Sequence, residues 1–210
     1  MKNSKIILAS LVLTFMGYTN SNAQSNVTKF GVKGGVNFSN LYTDNADDEN
    51  VLTGFNIGLY AKVPVTNSIS IQPEIYYTGK GAEVAYSTPV NGTAKFKLNY
   101  IEVPVMLVAN VTKNFNVQVG PYAGYLISGK TTNESGTYNF QDNINTDDFN
   151  KIDAGVAAGL GLDLETVSFG VRYNYGLTKV GKERSYSGTN YTFPDGKNSV
   201  LSFYGAFSFN

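Results

Sequence analysis

Val167-Ser-Phe-Gly-Val-Arg-Tyr-Asn-Tyr175 alternates without a break. Val167, Phe169, Val171, Tyr173 and Tyr175 fall on one parity; Ser168, Gly170, Arg172 and Asn174 fall on the other. A repeat of two puts successive side chains on opposite faces of an extended strand. The first set consists of the β-branched and aromatic residues that strands favour. The second is small or polar and holds one charge. Such a strand separates two different surroundings.

The same pattern recurs seven more times. Phe30, Val32, Val36 and Phe38 oppose Lys33, Gly35 and Asn37; Phe55, Ile57, Leu59, Ala61 and Val63 oppose Asn56, Gly58, Tyr60 and Lys62. Ile69, Ile71, Ile75 and Tyr77 oppose Ser70, Gln72, Glu74 and Tyr76. Ile101, Val103, Val105 and Leu107 oppose Tyr100, Glu102 and Pro104, with Phe96 and Leu98 on the polar parity upstream. The remaining runs centre on Val117, Val156 and Phe203. Eight strands result, each near the 9–11 residues that a tilted membrane strand needs. Their connections alternate in length. Residues 66–68, 110–114 and 165–166 are tight turns, whereas residues 41–52, 87–94, 129–149 and 179–197 read as long polar loops. Short turns at one end and long loops at the other describe an antiparallel up-and-down transmembrane β-barrel.

Alternation alone leaves open which face points inward. A soluble barrel would bury its apolar face around a ligand, and a membrane barrel would turn it to lipid. The polar face here is rich in glycine and tyrosine with scattered charges, which suits the crowded inside of a narrow barrel. Aromatic placement agrees. Phe30, Phe115, Phe169, Phe207 and Phe209 would form one girdle, and Phe38, Phe55, Tyr77, Tyr125 and Tyr175 the other, flanking an aliphatic band at the two lipid interfaces.

The N-terminus is of a different kind. Lys2 and Lys5 precede an apolar run from Ile6 to Met16, and Ser21-Asn22-Ala23 follows. A positive start, a short apolar core and a small-residue end describe a secretory signal peptide over residues 1–23, cleaved between Ala23 and Gln24. The run is too short to cross a bilayer as a helix, so residues 24–210 would span as a single barrel domain in the bacterial outer membrane. The 210-residue chain balances 16 basic against 16 acidic residues. No general field for gripping nucleic acid exists. Cysteine and histidine are both absent. That removes disulfides, thiolate nucleophiles, the common zinc sites and the Ser–His–Asp and Cys–His mechanisms. No metal site and no cofactor is expected.

Charges inside a filled barrel must find partners, because desolvation without pairing is costly. Glu74, Glu102 and Arg172 are expected to form an internal structural cluster completed by Lys33, Lys62 or Lys80, with Asp153 on the same face and Tyr60, Tyr76 and Tyr100 donating hydrogen bonds. A carboxylate pair acting as acid and base is the functional alternative. A filled barrel offers no substrate cleft, which favours structural pairing. Two loops are acidic, with Asp44, Asp47, Asp48 and Glu49 in one and Asp142, Asp147 and Asp148 in another; neither has the ligand spacing of a calcium loop. Lys179, Lys182, Arg184 and Lys197 make the last loop basic and suited to anionic lipopolysaccharide. Gly155, Gly159 and Gly161 imitate a nucleotide fingerprint without its strand–turn–helix context.

Several stretches resemble, as an ordered set, the outer-membrane β-barrel domain family that includes the PorT-like proteins. They are Phe30-Gly-Val-Lys-Gly-Gly-Val-Asn-Phe-Ser, Ile71-Gln-Pro-Glu-Ile-Tyr-Tyr with Gly79-Lys-Gly81, Asn99-Tyr-Ile-Glu-Val-Pro104, Gly120-Pro-Tyr-Ala-Gly and Arg172-Tyr-Asn-Tyr-Gly-Leu. The resemblance implies an outer-membrane barrel inserted by the barrel-assembly machinery, in contact with outer-membrane lipid and lipopolysaccharide. It departs in ending Phe209-Asn210, which displaces the terminal aromatic assembly signal by one residue. Three roles are expected in descending order. They are a non-enzymatic structural or interaction protein, a PorT-like accessory that meets secretion-system proteins, and a membrane-embedded enzyme, which the missing histidine disfavours.

Overall fold

The computed structural model describes residues 27–42, 51–86, 92–135, 138–143, 146, 149–186, 189–192 and 196–209. The expected leader, its Ala23–Gln24 cleavage point and the acidic stretch from Asp44 to Glu49 lie outside them. The described residues form strands β1 (Lys29–Tyr42), β2 (Leu52–Pro64), β3 (Ile69–Tyr86), β4 (Gly92–Asn110), β5 (Phe115–Ser135), β6 (Tyr138–Asn143), β7 (Ile152–Leu164), β8 (Val167–Lys179), β9 (Glu183–Tyr186), β10 (Thr189–Thr192) and β11 (Lys197–Ser208).

Eight of these close into a ring, β1-β2-β3-β4-β5-β7-β8-β11, with β11 returning to β1 and every neighbour antiparallel. Closure pairs the backbone groups of the wall and leaves no edge, as hydrocarbon requires. The faces are sorted as the alternation demands. Ile57 is 59% and Leu59 55% exposed on the outside, whereas Glu74 is 3% and Arg172 4% exposed within. Both aromatic sets point outward. Phe55 stacks at a tilt on Tyr77 (centroids 5.7 Å apart) near the loop end, and Phe207 meets Phe209 edge-on (6.2 Å) at the turn end.

Two of the turns are written in the same chemistry. In Val65-Thr-Asn-Ser-Ile69 the Thr66 hydroxyl accepts from the Ile69 amide at 3.0 Å, and in Val111-Thr-Lys-Asn-Phe115 the Thr112 hydroxyl accepts from Phe115 at 3.0 Å. A threonine hydroxyl bonding its own turn is a local signal that stops one strand and starts the next.

Inside, tyrosine rings lie on glycines. A methyl group at Gly170 would sit 2.4 Å from the Tyr204 ring, and one at Gly58 2.5 Å from the Tyr76 ring. Any side chain at either position would push the ring off the wall. The glycine-and-tyrosine composition of the polar face is therefore a packing code for a narrow interior.

The loop end differs from the sequence reading. Residues 87–94, 129–149 and 179–197 read as loops in the sequence, yet strand continues into the described part of each. β3 and β4 continue as a hairpin to Tyr86 and Gly92, β5 carries on to pair with β6, and β9 pairs with β10. The register runs on through Glu83↔Lys95 in β3–β4 and Lys97↔Lys130 in β4–β5. Strands that leave the membrane meet water on both faces, so they lose the alternation by which the wall is recognised.

Candidate functional site

The interior carries two ion clusters and a third pair at one mouth. The first cluster centres on Glu74 of β3. Its Oε1 accepts from Lys33 at 3.1 Å, from Gln72 at 2.5 Å and from Arg172 Nη2 at 3.0 Å, while Oε2 accepts from Arg172 Nη1 and the Tyr76 hydroxyl. Two cations thus share one carboxylate. Arg172 Nη2 also donates to Gln118 Oε1 at 2.7 Å, and Gln118 donates to the Tyr204 hydroxyl at 3.0 Å. The Tyr204 ring lies 3.6 Å from Lys33 Nζ, a close cation–π contact.

The second cluster centres on Lys80, further along β3 toward the loops. Its ammonium pairs with Asp153 Oδ2 at 2.8 Å and with Glu102 Oε2. Asn174 donates to Glu102 Oε1 at 2.9 Å, and the rings of Tyr122 and Tyr100 face the ammonium at 4.5 and 5.4 Å. Here two carboxylates share one cation. A cavity of about 20 Å³, with Arg172, Asn174 and Glu102 in its lining, separates the clusters.

The single cluster expected from sequence is therefore divided. Glu74 and Arg172 stay together with Lys33, whereas Glu102 joins Lys80 and Asp153. Tyr76 donates its hydroxyl to Glu74, while Tyr100 offers Lys80 a ring face. Lys62 belongs to neither cluster. It sits near the turn end, 2.8 Å from Asp163, whose carboxylate also accepts from Ser168 at 2.8 Å and Asn116 at 3.0 Å. Asp163 lies on the inward parity two residues past Gly161, so the same alternation reaches it.

The two ends of the lumen are unlike. At the loop end Leu41, Ala82, Leu98, Leu126, Phe149 and Val180 bury against Tyr100 as an apolar plug. Leu98 looked out of phase in the sequence because the polar face turns apolar at this level. At the turn end lies a polar vestibule of about 670 Å³, with Lys29, Lys62 and Lys113 among its walls and Lys33, Gln118 and Tyr204 deeper in. Tyr60 lines it too. Among the described residues no three His, Cys, Asp or Glu side chains gather as a metal site. The side chains of Asp142, Asp147, Asp148 and Arg184 lie outside the described set.

Residues 22–181 match the family described as outer membrane protein beta-barrel domain. The chain belongs to that family. This outer membrane barrel accordingly lies in the bacterial outer membrane; in barrels of this kind short turns face the periplasm and longer connections the outside. No curated protein matches it. Among solved structures it is similar to neisserial surface protein A, NspA, at 17% identity and TM-score 0.51 over 86% of this chain and 97% of that one. It is also similar to Ail, the attachment invasion locus protein of Yersinia pestis, solved with the heparin analogue sucrose octasulfate. That match has 14% identity and TM-score 0.50 over 87% and 99% of the two chains. The outer membrane protease OmpT from Escherichia coli aligns at 8% identity and TM-score 0.43 over 91% of this chain and 99% of that one. At such identities the likeness concerns the fold alone.

Proposed function

We propose that this outer membrane barrel is a non-enzymatic scaffold whose sealed wall carries an external β-ribbon for structural or interaction roles. The observation that supports this reading is the filled lumen. Two ion clusters occupy its middle and an apolar plug its outer end. Such an interior passes no bulk solute. Glu74, Glu102 and Asp153 are each held by a buried cation, which leaves none of these three carboxylates disposed as an acid or base over a cleft. Outside, Lys179 and Lys197 stand directly opposite each other on β8 and β11, and with Lys182 they suit the anionic groups of outer-leaflet lipopolysaccharide. The test is electrical. Purified protein in planar bilayers should give a flat baseline, and a steady solute-passing conductance would overturn the reading. Lipid or peptide turnover that disappears in Glu74 or Glu102 variants would establish the enzymatic alternative instead.

A PorT-like accessory role in protein secretion is the second reading. It is favoured by the ordered set of sequence stretches and by the polar vestibule that opens toward the periplasm. Loss of secreted proteins on deletion, with export restored by the native gene, is the outcome it requires.

A further inference from the structure

We infer that the periplasmic vestibule is a binding site for an extended acidic peptide segment, entering end-on with a carboxylate directed toward Lys33. The first support is charge. Lys33 and Arg172 both bond the single carboxylate of Glu74, so the floor of the vestibule holds two basic groups to one acidic group. The matching excess of negative charge, Glu102 and Asp153 around Lys80, lies on the far side of the lower cluster, away from the opening. A vestibule wall therefore presents positive charge to whatever enters from the periplasm.

The rim repeats that sign. Lys62 is satisfied by Asp163, but Lys29 and Lys113 are exposed there against Glu165 alone. The Lys29 ammonium donates to the Glu165 backbone carbonyl at 3.3 Å. The space, about 670 Å³, lies within the range of ligand-sized pockets. Its walls explain why a peptide fits better than a bare phosphate. The Ser70 hydroxyl and the Asn114 amide can both donate to and accept from a main chain, the Gln72 amide oxygen can accept from one, and the Tyr60 ring offers a surface to side chains. The rim already shows how a carboxylate is held, since Asp163 is fixed by one lysine, one serine and one asparagine.

The site lies at the opposite end of the barrel from the external ribbon and stands independently of the scaffold reading, because a conducting barrel could carry it equally. The test uses the full-length protein in nanodiscs, where both faces are open, titrated with a fluorescent hexaglutamate peptide. Inorganic phosphate and a hexalysine peptide serve as comparisons. Saturable binding of hexaglutamate is expected, weakening as salt rises from about 50 to about 200 mM because the contacts are partly screened. The rim double variant Lys29→Gln/Lys113→Gln should lower affinity roughly fivefold, the scale of removing two solvent-exposed charges. Neither side chain belongs to the interior clusters, so folding, read by heat-modifiable gel mobility, should be unchanged. Lys33→Met is the deeper variant and is read only if it folds. No saturable hexaglutamate binding would overturn the inference. So would phosphate binding more tightly than the peptide, or binding that survives the rim change and disappears in Lys97→Gln/Lys130→Gln. The last result would place the peptide on the paired lysines of the external ribbon.

Discussion

The two interior clusters are charge mirror images. Around Glu74, a carboxylate is clasped by an ammonium and a guanidinium; around Lys80, an ammonium is clasped by two carboxylates. Both hubs come from β3, six residues apart on the inward parity, so one strand supplies the centre of each and other strands supply the spokes. Lys33 comes from β1 and Arg172 from β8; Glu102 comes from β4 and Asp153 from β7. The difference teaches how ion pairs share with apolar packing the work of filling an eight-stranded lumen. Glu102 comes from the adjacent β4, but Lys33, Arg172 and Asp153 come from strands that are not neighbours of β3, so those three ion pairs act as struts across the barrel. One cluster holds two basic groups to one acid, and the other two acids to one basic group. Removing a buried hub leaves two like charges facing one another in a poorly solvated space.

That arrangement gives the largest expected effects. Glu74→Leu strands Lys33 beside Arg172, and Lys80→Met strands Glu102 beside Asp153. Each should cost about 3–5 kcal/mol, the scale for breaking a buried pair from one side. Urea unfolding in lipid vesicles measures it, with the folded fraction read by gel mobility. The mirror relation then separates the two variants by pH. Protons can neutralise stranded carboxylates, whereas a guanidinium keeps its charge at any workable pH. Lowering the pH should therefore restore much of the stability of Lys80→Met and none of that of Glu74→Leu. Equal responses would show that the clusters are not the opposite-signed hubs the contacts describe.

A smaller effect tests whether the clusters are separate units. Asn174 stands two residues beyond Arg172 on β8 and donates to Glu102 at 2.9 Å, which places it between them. Asn174→Ala deprives a buried carboxylate of one donor and should cost about 1–2 kcal/mol. Combined with Lys80→Met the cost should be less than the sum, because both act on Glu102. Combined with Lys33→Met it should add. Coupling of equal size in both double variants would join the clusters into one network.

How far these features can be read from sequence follows from which physical signals are local. The wall is legible because lipid on one side and a crowded lumen on the other impose a period of two on every strand, from Phe30 to Phe209. That Glu74, Glu102 and Arg172 are interior follows from the same parity. Which of them touch does not, since partner choice depends on how far each strand is shifted along its neighbour. Glu102 faces Tyr76 in the register, yet its cation is Lys80, four residues further along β3. Lys62 shares the inward parity and still ends near the mouth, because parity says nothing of depth. The apolar plug was visible only as an anomaly, Leu98 out of phase. The external ribbon left no trace in the alternation because water on both of its faces imposes none.

The smallest expected effect isolates burial from geometry. Lys80 and Lys62 each hold an aspartate at 2.8 Å, so distance cannot distinguish the two pairs. Their surroundings can. The side chains of Lys80 and Asp153 are 1% and 3% exposed, against 16% and 30% for Lys62 and Asp163. At the rim, water screens the attraction and can solvate whichever partner remains, and Ser168 and Asn116 still hold the aspartate. Lys62→Met should therefore cost below about 1 kcal/mol, the range of partly exposed pairs, in the same urea assay where Lys80→Met costs several times more. High salt should shrink the rim contribution further and leave the interior one nearly unchanged. Similar losses from both lysines would mean that the vestibule is as dry as the middle of the lumen, and the contrast between mouth and interior would fail with it.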